Sequence, residues 1–190
     1  MDMNVDYLIQ MQSLLKLEGL PSKKVTSLFQ IEPGDHIKYH RLGILYAHHA
    51  IVVDKRGSNY SVVHFYGDDK DTKKTIKATI QQTEFPFREC EFEVLEYPHR
   101  VRFSKEETKA VAFFFLRNGF GSYDVLNNNC EHFATACATG YRFSVQCNRF
   151  DNVVGRLGYM VGINVSSSNS FKKIVEVKKE NGQYMVYLHQ

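Results

Sequence analysis

The chain has no tryptophan and only four prolines and four cysteines in 190 residues. So few prolines exclude a polyproline spacer or a low-complexity linker protein. The cysteines, Cys90, Cys130, Cys137 and Cys147, form no C-x-x-C pair, which excludes the usual zinc and redox spacings and makes a disulfide framework unexpected in a reducing compartment. The longest apolar run, Ala110 to Leu116, is far short of the roughly 20 residues of a membrane-spanning helix. Met-Asp-Met-Asn-Val-Asp at the start lacks the basic and apolar blocks of a secretory signal, and no lipidation box is present, so a cytoplasmic location is expected. An excess of one charge is missing too. With 24 basic and 21 acidic residues, the net charge of +3 permits attraction to anionic lipid or nucleic acid without demanding either. What is present is globular: 43% hydrophobic and 13% aromatic residues, enough for one domain with its own core.

Val5, Leu8, Ile9, Met11, Leu14 and Leu15 recur at helical spacing, so residues 3–18 read as an amphipathic helix ended by Gly19 and Pro21. After a Pro33-Gly34-Asp35 turn, Ile37 to Tyr39 reads as a strand, and Tyr46 to Asp54 with Tyr60 to Tyr66 as a hairpin across Lys55 to Asn59. Residues 67–77 are too charged for a core and read as a loop; Glu91 to Tyr97 alternate like another strand. Ser104 and Glu107 form a capping box before Ala110 to Leu116, with Asn118-Gly119 as the stop. A second helix is expected from an Asn128 N-cap, with Glu131 three residues on, to Gly140. Val153 to Ser170 reads as a weak helix and serine-rich linker, and Asn181-Gly182 marks a hairpin of Ile174 to Lys178 with Tyr184 to Leu188.

Cys130 falls at the second position of the expected helix, where unpaired N–H groups and the helix dipole favour a thiolate. A buried structural cysteine is the commoner fate of such a residue. A nucleophile also needs a base. If Ile51, Val53, Val63 and Phe65 face the core, alternation brings His48 and His64 out together on the opposite face, one as base and one as its orienter, with His49 left as a packing residue. For any one histidine a local hydrogen bond is the simpler explanation, but two on one face plus a helix-terminal cysteine favour a site.

Pro33-Gly34-Asp35, His48-His49-Ala50-Ile51-Val52-Val53, Val63-His64 and Asn128-Asn129-Cys130-Glu131-His132-Phe133, in that order, resemble the lecithin:retinol acyltransferase (LRAT) domain family, which includes the HRAS-like suppressor phospholipases and acyltransferases. The resemblance spans about residues 31–143. It implies an α+β, circularly permuted papain-like domain in which a small antiparallel sheet packs on the cysteine helix, preceded by an appendage (1–30) and followed by an extension (144–190). It also implies a Cys-His-His site: Cys130 attacks an ester carbonyl, His48 takes the thiol proton and His64 orients His48. The acyl-thioester then passes to an amine, alcohol or water acceptor, with a glycerophospholipid as acyl donor. No cofactor or metal is implied. An oxyanion donor is expected, the Cys130 backbone N–H being one candidate; Asn129 and Tyr123 are supporting candidates. Cys137, two helical turns on, either tunes the pocket, as the resemblance implies, or is a small core residue, the simpler reading; His132 reads as structural, pointing away. Many relatives end in an apolar anchor, whereas this sequence closes on a lysine-rich hairpin. Peripheral membrane contact would therefore fall to helix 3–18, Lys16, Lys23, Lys24 and the lysines of 67–77, although packing of that helix on the domain or a partner chain is preferred.

Two rival classes remain: a non-catalytic binding or signalling module of the same fold, against which all three groups being present argues, and a thiol peptidase or amidase, which would need a polar cleft rather than an apolar pocket. A metal site from His36, His40, His48 and His49 lacks the spaced acidic and thiol ligands of a closed zinc site. No aromatic-interleaved basic face suggests nucleic acid.

Overall fold

Alternating apolar residues at 50–53 and 62–65 supply two apolar faces to one hairpin, and both faces are covered. In a computed structural model, the described residues are 20–40, 47–67, 78–89, 91–98, 101–124, 127–147 and 172–189. Helix 3–18, almost all of loop 67–77 and the segment 153–170 lie outside them.

The strands in chain order are β1 (Ser22–Lys24), β2 (His36–His40), β3 (Ala47–Arg56), β4 (Asn59–Gly67), β5 (Ala78–Pro86) and β6 (Glu93–Leu95). They form one antiparallel sheet in the order β1-β6-β2-β3-β4-β5. The expected β3–β4 hairpin is present and longer than the sequence suggests. The strand expected at Glu91 to Tyr97 shortens to Glu93–Leu95, and β5 adds a nine-residue strand that the sequence pattern did not indicate.

One face of the sheet carries two helices, α1 (Lys105–Asn118) and α2 (Cys130–Thr139). Val111, Ala112 and Phe115 of α1 and Phe133, Ala134 and Cys137 of α2 meet Ile51, Val53, Val63 and Phe65. The opposite face packs Ala50, Val52 and Val62 under Val25, Ile31, Tyr60 and Phe92. Helix α1 starts where the capping box predicts: Ser104 accepts from the Glu107 N–H, and the Glu107 carboxylate accepts from the Ser104 N–H.

After α2 come β7 (Tyr141–Arg142), paired with β8 (Lys172–Lys173), and the hairpin of β9 (Val175–Glu180) and β10 (Gln183–Leu188). Its turn uses φ of 49° at Asn181 and 80° at Gly182, the left-handed pair that an Asn-Gly dipeptide tolerates. This hairpin is part of the core: Val175 is fully buried in the helix-side cluster, and the N–H groups of Ile174 and Val175 both donate to the Gly140 carbonyl at the end of α2.

Candidate functional site

Helix α2 begins one residue later than the sequence suggests. Asn129 is the N-cap, its side-chain oxygen accepting from the N–H groups of Glu131 and His132, and His132 completes the box in place of Glu131. Asn128 is occupied elsewhere: its amide donates to the carbonyls of Phe120 and Ser122, and its backbone pairs with Asp124. Cys130 is therefore the first residue of the helix, not the second. His132 is buried against Asn129. Cys137 is a buried core thiol. Tyr123 packs edge-on against Phe65 at 5.0 Å between ring centroids, on the helix side of the sheet.

The sulfur of Cys130 lies at a break in the sheet. Val52 exchanges hydrogen bonds with the segment preceding β2, its N–H donating to Asp35 and its carbonyl accepting from Gly34. Antiparallel geometry then turns the amides of 48 and 50 toward β2 and those of 47, 49 and 51 toward β4. The β3–β4 register begins at Ile51↔Val63, so 47 and 49 face a notch where β4 has diverged. The N–H of His49 donates to the Cys130 sulfur instead. At Ala47 the Gln146 side-chain amide takes the place of a strand: Ala47 N–H donates to Gln146 Oε1 at 2.6 Å and Gln146 Nε2 donates to the Ala47 carbonyl at 3.1 Å.

His48 lies between those two attachments. Its Nε2 is 2.9 Å from His64 Nδ1, and His64 Nε2 is 3.0 Å from Thr83 Oγ1 on β5. The imidazoles meet edge to face, with Tyr39 tilted on His48 at 5.1 Å and Tyr66 stacked on His64 at 5.3 Å. Both histidines are buried. Thr83 had no signal in the sequence, because β5 itself was not legible; Tyr39 and Tyr66 lie in expected strands, Tyr66 on the face of His64 by alternation along β4.

The thiol does not rest as expected for a helix terminus. Cys130 is 1% exposed, and burial pushes its pKa from 9.0 up to about 12 against the pull of the N–H groups of His49, Glu131 and Cys130 itself. Desolvation outweighs the dipole, so at neutral pH the group is a protonated thiol.

His49 is more than a packing residue. Its Nδ1 is 2.7 Å from His36 Nε2, His36 Nδ1 is 2.6 Å from the Tyr97 hydroxyl, and His49 Nε2 is 2.9 Å from Gln146 Nε2. The Gln146 amide is oriented by Ala47 and can only donate from nitrogen. His49 Nε2 therefore accepts, His49 Nδ1–H donates to His36 Nε2, and His36 Nδ1–H donates to Tyr97. Burial, reinforced by His49, Arg102 and Lys38, lowers the His36 pKa well below the ordinary value and keeps it neutral. The buried Glu131 carboxylate closes the network, accepting from Ser144 Oγ and from the Gln146 N–H at 3.1 Å, with Gln146 Nε2, whose two hydrogens face Ala47 and His49, 3.3 Å away. Among the described residues no cluster of histidine, cysteine and carboxylate side chains could hold a metal ion.

The family model for lecithin retinol acyltransferase matches residues 29–143, more than half of the chain. The chain belongs to the lecithin retinol acyltransferase family. Membership points to acyltransferase- or phospholipase-type activity on phospholipid, and the mixed α+β architecture with its small antiparallel sheet fits that family. No curated protein and no solved structure matches the chain. Among the described residues, no helix of this lecithin retinol acyltransferase family member is long and apolar enough to cross a membrane. The match covers all of β2 to α2 and ends three residues before Gln146.

Proposed function

We propose that the chain is a thiol-dependent phospholipid acyltransferase and phospholipase A-type acyl hydrolase that works through an acyl-thioester on Cys130. The observation that carries this reading is the shared notch: the Cys130 sulfur is received by the His49 N–H on β3, and the adjoining residue His48 is tied to His64 across the gap between β3 and β4. His48 engages His64 through Nε2, so the thiol proton is assigned to Nδ1. As the S–H proton passes to His48, the sulfur attacks the ester carbonyl carbon. The acyl C–O bond breaks and the leaving lysolipid oxygen takes the proton back from the imidazolium. An alcohol, amine or water acceptor then gives its proton to His48 and attacks the thioester, releasing the Cys130 thiol. His64, backed by Thr83, holds the His48 ring and accepts from its Nε2–H throughout, the role an orienting group has in a triad. The backbone N–H of Cys130 is the oxyanion donor in this scheme. Asn129 supports the site as the cap that fixes the start of α2. Tyr123 is assigned to the wall behind Phe65.

The test is intact-protein mass spectrometry after brief incubation with a short-chain phosphatidylcholine. A mass gain of one acyl chain on the wild type, absent in Cys130→Ala and discharged by an added amine or by water, supports the thioester cycle. A folded wild type that gains no acyl mass and releases no fatty acid overturns it in favour of a binding module. Release of product from a peptide or amide instead would favour the thiol amidase.

A further inference from the structure

Gln146 connects the residue before the proposed base to the residue after the proposed nucleophile. Its side-chain amide pairs with both the N–H and the carbonyl of Ala47, directly ahead of His48, while its backbone N–H reaches the Glu131 carboxylate, directly after Cys130. The same Nε2 lies 2.9 Å from His49 Nε2, and the backbone N–H of His49 holds the sulfur. Residues on both sides of His48 are thus fastened to the start of α2, one by the Gln146 amide and one by the Cys130 sulfur. The register of β3 with β4 contributes nothing there, since it begins only at Ile51.

We infer that Gln146 is a positioning residue that sets the separation of Cys130 and His48, a glutamine strand substitute at the sheet's broken edge. This inference rests on the proposed thioester reaction. Glutamine suits the role because one planar amide presents an acceptor and a donor side by side, matching the N–H and carbonyl of a single β residue. Glutamate would keep the acceptor for the Ala47 N–H but lose every donor and set a second carboxylate beside Glu131. Methionine would keep the length and lose all of the side-chain bonds, leaving only the backbone N–H to Glu131.

The experiment compares wild type, Gln146→Met, Gln146→Asn and Val62→Ala. The last is a core control on β4, on the face turned away from α2, in the cluster with Val25 and Phe92. Steady-state hydrolysis of a short-chain phosphatidylcholine gives kcat and KM, iodoacetamide labelling of Cys130 gives a pH–rate profile by peptide mass spectrometry, and thermal unfolding gives Tm. A misplaced base predicts a roughly 10- to 100-fold loss of kcat in Gln146→Met with KM nearly unchanged, and a displaced labelling profile. Val62→Ala should lose stability while keeping kcat and profile. Gln146→Asn, too short to span both partners, should follow Gln146→Met and serves if that variant does not fold. Wild-type kcat and profile in a folded Gln146 variant overturn the inference, as does an equal kcat loss in Val62→Ala at matched loss of Tm. If the wild type turns over no lipid, the acyltransferase reading fails on its own. The labelling profile still decides the positioning role: displaced in Gln146→Met it stands, unmoved it falls.

Discussion

The buried thiol gives a quantitative expectation for the reactivity of Cys130. Its pKa is raised from 9.0 to about 12 by burial. At pH 8 a thiol at the lower value is about one-tenth thiolate and one at the higher value about one part in ten thousand, so native Cys130 should alkylate ~1,000-fold more slowly than the same cysteine in the unfolded chain. Restricted access at 1% exposure can only enlarge that ratio. The assay is iodoacetamide labelling followed by peptide mass spectrometry, which separates Cys130 from the buried thiols of Cys137 and Cys147, with and without urea, between pH 6 and pH 11. The native rate should climb about tenfold per pH unit over the whole range with no plateau. A plateau below pH 8 would refute the reasoning, because it would mean that an imidazolium partner stabilises the thiolate by more than burial opposes it. The sign also fixes the pH dependence of folding. A group whose folded pKa is raised favours the native state below its unfolded value, and Cys130 loses that contribution as pH rises from 9.0 to about 12. Cys130→Ala should flatten the alkaline fall in Tm.

Two further outcomes follow from the ends of α2. Gly140 holds φ of 79°, and a Cβ there would lie 2.5 Å from the Val175 carbonyl oxygen and 2.8 Å from the Phe103 ring, so Gly140→Ala should cost more than about 2 kcal/mol and lower Tm by several degrees. Gly182→Ala, at φ of 80° with nothing within 4 Å, should cost only about 1 kcal/mol; equal losses in thermal unfolding would contradict the steric argument. Asn129→Ala removes the side-chain acceptor for the Glu131 and His132 N–H groups and should cost about 1–2 kcal/mol, with Asn129→Asp recovering most of it. A thermal melt of Asn129→Ala that overlays the wild type would show the cap to be dispensable.

The parts of the fold legible in the sequence are those whose cause is local. Ser104 with Glu107, Asn181 with Gly182 and the alternation along β3 and β4 each carry their own geometry within a few residues, and each appears where expected. β5 was not legible because Gln81, Gln82 and Thr83 interrupt its apolar residues. Its extended form comes from nine successive partners on β4, a tertiary cause. The start of α2 shifted by one residue because Asn128 and Asn129, the last two of three consecutive asparagines, each offer a cap, and only the loop contacts of Asn128 decide between them. The pairing of His48 with His64 followed from strand parity. The high thiol pKa and the Gln146 attachments did not, since desolvation and a partner nearly 100 positions away in the chain leave no trace in local sequence.

The seam between Gly140 and residues 174 and 175 also sets a timetable for synthesis. A ribosome releases the cysteine helix well before Val175, the last fully buried residue of the cluster it shares with that helix. Until then the nascent helix has an open seat, exposing Val111, Phe115 and Cys137 to whatever holds emerging chains. Cys130 is thus made early and its helix anchored late, so quality control has a window in which an unfinished molecule is recognisable by that vacant seat.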